Sequence, residues 1–190
     1  MSVTRRQAIG SLGVPLLLAA GAPRALAATP KGTDAGVKPS DDPIQRAEDA
    51  LYAALELEQT AVVAYEAIAN SGRLSGRATT LLRSVLADDR EHAAQLAIAL
   101  DDMDVKPPIP PRRATIPGLS RVRDDEGAAR FAIALEERTI AAHLVYVRDA
   151  NDSSVLRIVA GAMGTDGQHL VVLRELAGMA PVPRAFEQGR

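Results

Sequence analysis

Two short stretches of this chain carry residue types that can hold a cation: Asp89-Arg90-Glu91-His92 and Asp166-Gly167-Gln168-His169. An Asp and a His three positions apart share one face of a helix, about one turn from each other. The first pair sits in the apolar stripe Leu82, Val85, Leu86, Asp89, His92, Ala93, Leu96. The second sits in Val159, Ala162, Met163, Asp166, His169, Leu170, Leu173. Such stripes face a core, where polar groups are costly unless paired or bound to something. The two motifs lie 77 residues apart, and two of the chain's three histidines hold these equivalent places.

Two further carboxylates occupy apolar faces. Glu58 continues the heptad Ile44, Leu51, Glu58, Tyr65, and Glu137 has Ile133, Ala134, Ile140, Ala141 and Leu144 as helical neighbours. Unpaired carboxylates are seldom placed in such surroundings, and no Lys or Arg shares either stripe. In an antiparallel helical hairpin, residues equidistant from the turn lie at one level. The midpoint of Glu58 and Asp89 falls in the turn-forming stretch Ser71 to Ser75, and that of Glu137 and Asp166 in Asn151 to Ser153. Each Glu is thus expected to face its own Asp-x-x-His. If the two hairpins pack face to face, four carboxylates (Glu58, Asp89, Glu137, Asp166) and two imidazoles (His92, His169) converge mid-molecule. Oxygen and nitrogen donors in that number suit two divalent metals. The opposing reading makes Asp89–His92 and Asp166–His169 structural hydrogen-bonded pairs. Glu56, Glu91 and Glu136 are expected to point away from this level, although a rotated helix would put Glu136 in the place of Glu137. His143 is read as a surface or outer-layer residue, and Tyr65 and Tyr146 as core residues with a wet hydroxyl. Gly161, Gly164 and Gly167 share a period of three and are read as allowing close helix approach or local flexibility beside Asp166.

The elements that must position these groups are four helices. Asp42-Pro43 supplies a cap residue and a first-turn proline for a first helix ending at Asn70-Ser71-Gly72. The second helix runs from about Ser75 to Met103. A third starts near Asp124-Asp125 and stops at Asn151-Asp152. A fourth, capped by Asp152 or Ser153, runs to about Gly178. Residues 104–124 contain Pro107, Pro108, Pro110, Pro111 and Pro117 and cannot be helical. Twenty-odd residues reach about 70 Å when extended, whereas a helix of about 28 residues is about 42 Å long. The segment can therefore cross the full length of a bundle. The expected fold is all-α: two antiparallel helical hairpins joined by a long Pro-rich crossover, with the second and third helices parallel.

Composition agrees. Among 190 residues, 47% are hydrophobic and only 3% aromatic, a balance that favours helix over sheet and one core over two. The absence of Cys excludes disulfides, thiolate catalysis and Cys-type zinc sites. A net charge of −2 without a basic stripe argues against nucleic-acid binding. At the N-terminus, Arg5-Arg6 precede the apolar run Ile9 to Ala22, which falls short of the roughly 20 residues needed to span a bilayer. Ala25-Leu26-Ala27 then offers a small-x-small cleavage site. Residues 1–27 read as an export signal of twin-arginine type, with Ala8 where a bulky apolar residue is usual. Its removal takes three arginines and no acid, moves the net charge from −2 to −5, and leaves no membrane span. Residues 28–42 read as a flexible leader, 43–180 as the bundle and 181–190 as a tail.

Leu55-Glu56-Leu57-Glu58-Gln59 with Ala64-Tyr65, Glu91-His92-Ala93-Ala94-Gln95-Leu96, and the return of the same plan in the second half resemble the ferritin-like superfamily, in particular exported bacterial ferritin-like domain proteins. The resemblance covers about residues 43–178. It implies a ferritin-like four-helix bundle whose di-iron members take a Glu from each of two helices and a Glu-x-x-His from each of the others. Carried over, these positions fall on Glu58, Asp89, His92, Glu137, Asp166 and His169. Both Glu-x-x-His motifs are Asp-x-x-His here, one methylene shorter. The resemblance implies iron or manganese as cofactor, with zinc admitted by affinity, and oxidase- or peroxidase-type redox chemistry. The alternative is a non-enzymatic envelope or stress-related protein that keeps the fold without metal. A storage shell would need an oligomer interface that the sequence does not show.

Overall fold

Each helix begins and ends where local chemistry dictates. Asp42 caps the first helix by accepting a hydrogen bond from the Ile44 backbone N–H at 2.9 Å, with Pro43 in the first turn. That helix, α1, spans Pro43–Ala69, and Gly72 takes the left-handed conformation (φ 69°) just beyond it. Ser75 caps α2 (Gly76–Asp101) through the Ala78 N–H at 3.2 Å. In α3 (Asp125–Asp149), the Asp124 carboxylate accepts from the Gly127 N–H at 2.8 Å. Asp152 caps α4 (Ser153–Leu176) through the N–H groups of Ser154 and Val155 at 2.7 and 3.2 Å.

The computed structural model describes residues 42–149 and 152–184. The expected export signal, and all of the expected leader except Asp42, lie outside the described residues. The described residues form one compact unit. Among the described residues there is no strand, and no helix is long and apolar enough to cross a membrane.

Cross-helix contacts set the directions. Arg46 at the start of α1 meets Asp149 at the end of α3 at 3.3 Å, and Tyr65 farther along α1 meets Glu136 nearer the middle of α3. The two helices are therefore antiparallel. Since α1 and α2 form a hairpin, α2 and α3 run parallel, as the long crossover requires. The start of α2 reflects this: Asp125, the first residue of α3, accepts hydrogen bonds from the Ser75 backbone N–H and hydroxyl at 2.8 and 2.6 Å. The crossover runs along α1. The Pro108 carbonyl accepts from Gln59 and the Val122 carbonyl from Arg73, both at 3.1 Å. Ile116, Leu119 and Val122 bury their side chains in the core, so the crossover is anchored by apolar burial as well as by hydrogen bonds. It is the all-α bundle of two hairpins and one crossover expected from the sequence.

The core divides into two apolar clusters. One contains Ala64, Ile68, Leu82, Val85, Ile133, Ile140, Leu170 and Leu173. The other contains Leu51, Leu55, Leu96, Leu100, Tyr146 and Val159. A layer of polar side chains lies between them.

Candidate metal centre

That layer holds four carboxylates and three imidazoles. Glu58 comes from α1, Asp89 and His92 from α2, Glu136 and His143 from α3, and Asp166 and His169 from α4. None of the four carboxylate residues is more than 3% exposed. Five of the six residues expected from the sequence are therefore brought together, and Glu137 is not. Helix α3 is rotated by one residue from the expected face. Its buried stripe includes Ala129, Ala132, Glu136, Ile140, His143 and Tyr146, while Glu137 leaves the layer and meets Arg174 of α4 at 3.0 Å. The cation that the Glu137 stripe lacked is supplied across the second hairpin. His143 is fully buried rather than peripheral. Glu56 and Glu91 are exposed, as expected.

The histidines do not close on the Asp of their own motif. His92 Nδ1 lies 3.4 Å from both Glu58 Oε1 and Asp166 Oδ1. His169 Nδ1 lies 3.4 Å from Glu136 Oε2 and 3.7 Å from Asp89 Oδ1. Each imidazole thus lies between the Glu of its own hairpin and the Asp of the other. These separations exceed the usual hydrogen-bond range of about 2.7–3.2 Å. The three 3.4 Å separations match two donor atoms sharing one ion, which at about 2.1 Å from the metal stand about 3.0–3.5 Å apart.

Buried polar atoms without hydrogen-bond partners concentrate here: Glu58 Oε1, both oxygens of Asp89 and of Asp166, His92 Nδ1 and both nitrogens of His143. Leaving such groups unsatisfied costs about 1–3 kcal/mol each. Among the described residues no Lys or Arg forms an ion pair with any of the four carboxylates. Two divalent cations would balance their charge and satisfy these atoms, so the donor set fits a two-metal site.

The electrostatics agree. Burial, then the neighbouring Asp166 and Glu136, push the Glu58 carboxyl well above its ordinary value. Burial, then Glu136 and Glu58, do the same to Asp89. Burial also raises Glu136, against the lowering effect of its His169 contact. His92 is lowered by burial, which outweighs the attraction of Asp166. For His169 burial is outweighed by Glu136 and Asp88, and its value rises. Carboxyls crowded in low dielectric resist ionisation until a cation compensates them.

Two outer contacts orient this layer. The Tyr65 hydroxyl donates to Glu136 Oε1 at 2.7 Å, with the Ala132 carbonyl at 3.2 Å. That hydroxyl is fully buried, not wet. The half-exposed Asp88 lies 3.1 Å from His169 Nε2. An imidazole with one nitrogen on a carboxylate and the other facing inward is the usual support of a metal-ligating His. His143 in this layer and Asp88 at its edge were missed, and Glu136 was named only as the alternative that a rotated helix would bring in. A heptad signal for Glu136 and His143 existed: Glu58 precedes Tyr65 by seven residues, and Glu136 precedes His143 by seven.

A search of curated proteins finds no match. Among solved structures, the chain is similar to a conserved hypothetical protein, rv2844, from Mycobacterium tuberculosis, with a TM-score of 0.66 and 20% identity over 76% of this chain and 99% of that one. That likeness concerns the fold. The family model for the ferritin-like domain matches residues 46–179, which span all of the buried polar layer, and the chain belongs to the ferritin-like domain family.

Proposed function

We propose that the polar layer binds two divalent metal ions, iron or manganese, and carries out oxidase- or peroxidase-type redox chemistry. The observation that carries this reading is the set of partnerless buried oxygens and nitrogens on Glu58, Asp89, His92 and Asp166. Glu58, Asp89, Glu136 and Asp166 supply oxygen donors, and His92 and His169 supply nitrogen. When bound, iron or manganese would supply one-electron redox steps toward dioxygen or peroxide. Asp88 holds the His169 ring with Nδ1 turned inward. Tyr65 fixes the Glu136 carboxylate through its hydroxyl. The apolar clusters above and below exclude bulk water, which strengthens every charge interaction within the layer. The least buried members, His92 and Asp88, both lie on α2, so entry is assigned to the α2 side.

The test is anaerobic loading with ferrous iron followed by admission of dioxygen. Iron oxidation should exceed the protein-free rate and fall in His92→Ala and His169→Ala. A rate equal to the protein-free control, with iron bound, would remove the redox role and leave a binding protein. Export by the twin-arginine route is part of this proposal, supported by Arg5-Arg6 before the apolar run. Changing both to Lys should retain the protein in the cytoplasm, and unchanged export would point to another route.

A further inference from the structure

The two halves of the layer are related by a sequence offset that nearly repeats. An offset of 77 carries Asp89 onto Asp166 and His92 onto His169, and an offset of 78 carries Glu58 onto Glu136. The same offset of 78 carries Tyr65 onto His143. The pseudo-equivalent residues therefore differ where each faces the Glu of the opposite hairpin. Tyr65 faces Glu136 and is engaged in a 2.7 Å hydrogen bond. His143 faces Glu58, with Nε2 at 3.9 Å from Oε1, and its Nδ1 lies 3.5 Å from Asp166 Oδ2. It is fully buried, and neither nitrogen has a hydrogen-bond partner. A structural imidazole in this place would satisfy at least one nitrogen. Glu58, His143 and Asp166 instead present donor atoms close enough together to share one cation.

We propose that His143 is a metal ligand of the Glu58 half, so that the site offers two chemically unlike metal positions. One has two imidazoles, His92 and His143, beside Glu58 and Asp166. The other has one imidazole, His169, beside Asp89 and Glu136. A second break in the repeat points the same way: the offset of 77 carries Asp88 onto Thr165, whose hydroxyl turns back to the Gly161 carbonyl. Of the two Asp-x-x-His histidines, only His169 has a carboxylate on its outer nitrogen among the described residues. Nitrogen donors favour ions later in the divalent series, and carboxylates favour manganese and magnesium. The two positions should load in order rather than together.

This inference rests on the two-metal reading above and is tested separately from it. The untagged protein, freed of metal by chelator, is titrated with cobalt(II) and followed by calorimetry, visible absorption and paramagnetic proton NMR. The chain has three histidines in all, so strongly shifted imidazole N–H resonances count the ligating rings directly. Three such rings and two unequal binding steps are expected, and this count needs no variant. Loss of an outer-layer partner alone costs about 10–100-fold in metal affinity, so His143→Gln should weaken one step by at least about 10-fold and leave the other in place. His143→Tyr, which installs the residue of the pseudo-equivalent position, should do the same. Two shifted rings, or two steps unchanged in both variants, would overturn the assignment of His143 while leaving the two-metal site standing. No cobalt bound by the wild type would overturn both.

Discussion

Glu136 and Glu137 are neighbours with opposite duties, and each can be removed alone. Glu136→Gln keeps the shape and the acceptor for Tyr65 but takes a carboxylate from the layer. Metal content should fall below two ions per chain, with the chelated protein melting near wild type. Glu137→Gln should leave metal content unchanged and lower stability by about 1–3 kcal/mol, because the buried Arg174 loses a charged partner. Elemental analysis beside thermal melting separates the two, and loss of metal in Glu137→Gln alone would return that residue to the site. A pH dependence follows from the same layer. Glu58, Asp89 and Glu136 have folded values raised chiefly by burial, and His169 is raised by its carboxylates. Groups raised on folding stabilise fully below their unfolded values, and that contribution is lost as pH climbs through the folded ones. His92, lowered by burial, works in the opposite sense but is one group against four. The chelated protein should therefore lose stability as pH rises from about 4 toward neutrality. The stability added by metal, which needs deprotonated carboxylates, should grow over the same range. A chelated melting point that rises steadily over that range would contradict this.

At the scale of elements, the turn and cap residues were readable because their chemistry is local. Asp42-Pro43, Ser75 and Asp152 cap the helices that the sequence assigns to them. The proline-rich segment announced a crossover for the same reason. The rotation of α3 was not readable, because alanines at 128, 129, 132, 134, 141 and 142 are compatible with either face. Only the packing of α3 against α1 and α4 decides between Glu136 and Glu137. Burial of His143 was hidden by the same ambiguity, although its heptad relation to Glu136 repeats that of Tyr65 to Glu58. The glycines of α4 also read differently in three dimensions. A Cβ added at Gly161, Gly164 or Gly167 meets nothing within 4 Å, so close helix approach does not require them. Gly164→Ala, at an exposed helical position, should then stabilise the fold by about 0.5–1 kcal/mol. Chemical denaturation measures this. A loss of stability would mean that the local freedom of α4 beside Asp166 is itself needed by the fold.

On the scale of the whole molecule, a four-helix bundle built from two similar hairpins brings equivalent side chains to one level. The apolar clusters on either side set the depth of that level. The fold is therefore paid for by its apolar ends, while its middle carries buried charge that a purely structural core would lack. That makes linkage between metal and stability the most direct test of the account. Wild-type protein is analysed for metal and melted twice, once loaded with manganese(II) and once with excess chelator. A ligand that binds only the folded state adds about 2.7 kcal/mol at a hundred times its dissociation constant, which raises the melting temperature by roughly 5–10 °C for a domain of this size. The account predicts two ions per chain and a shift of that order, reduced in both His92→Ala and His169→Ala. Protein that carries no metal and melts at the same temperature with manganese or chelator would contradict it.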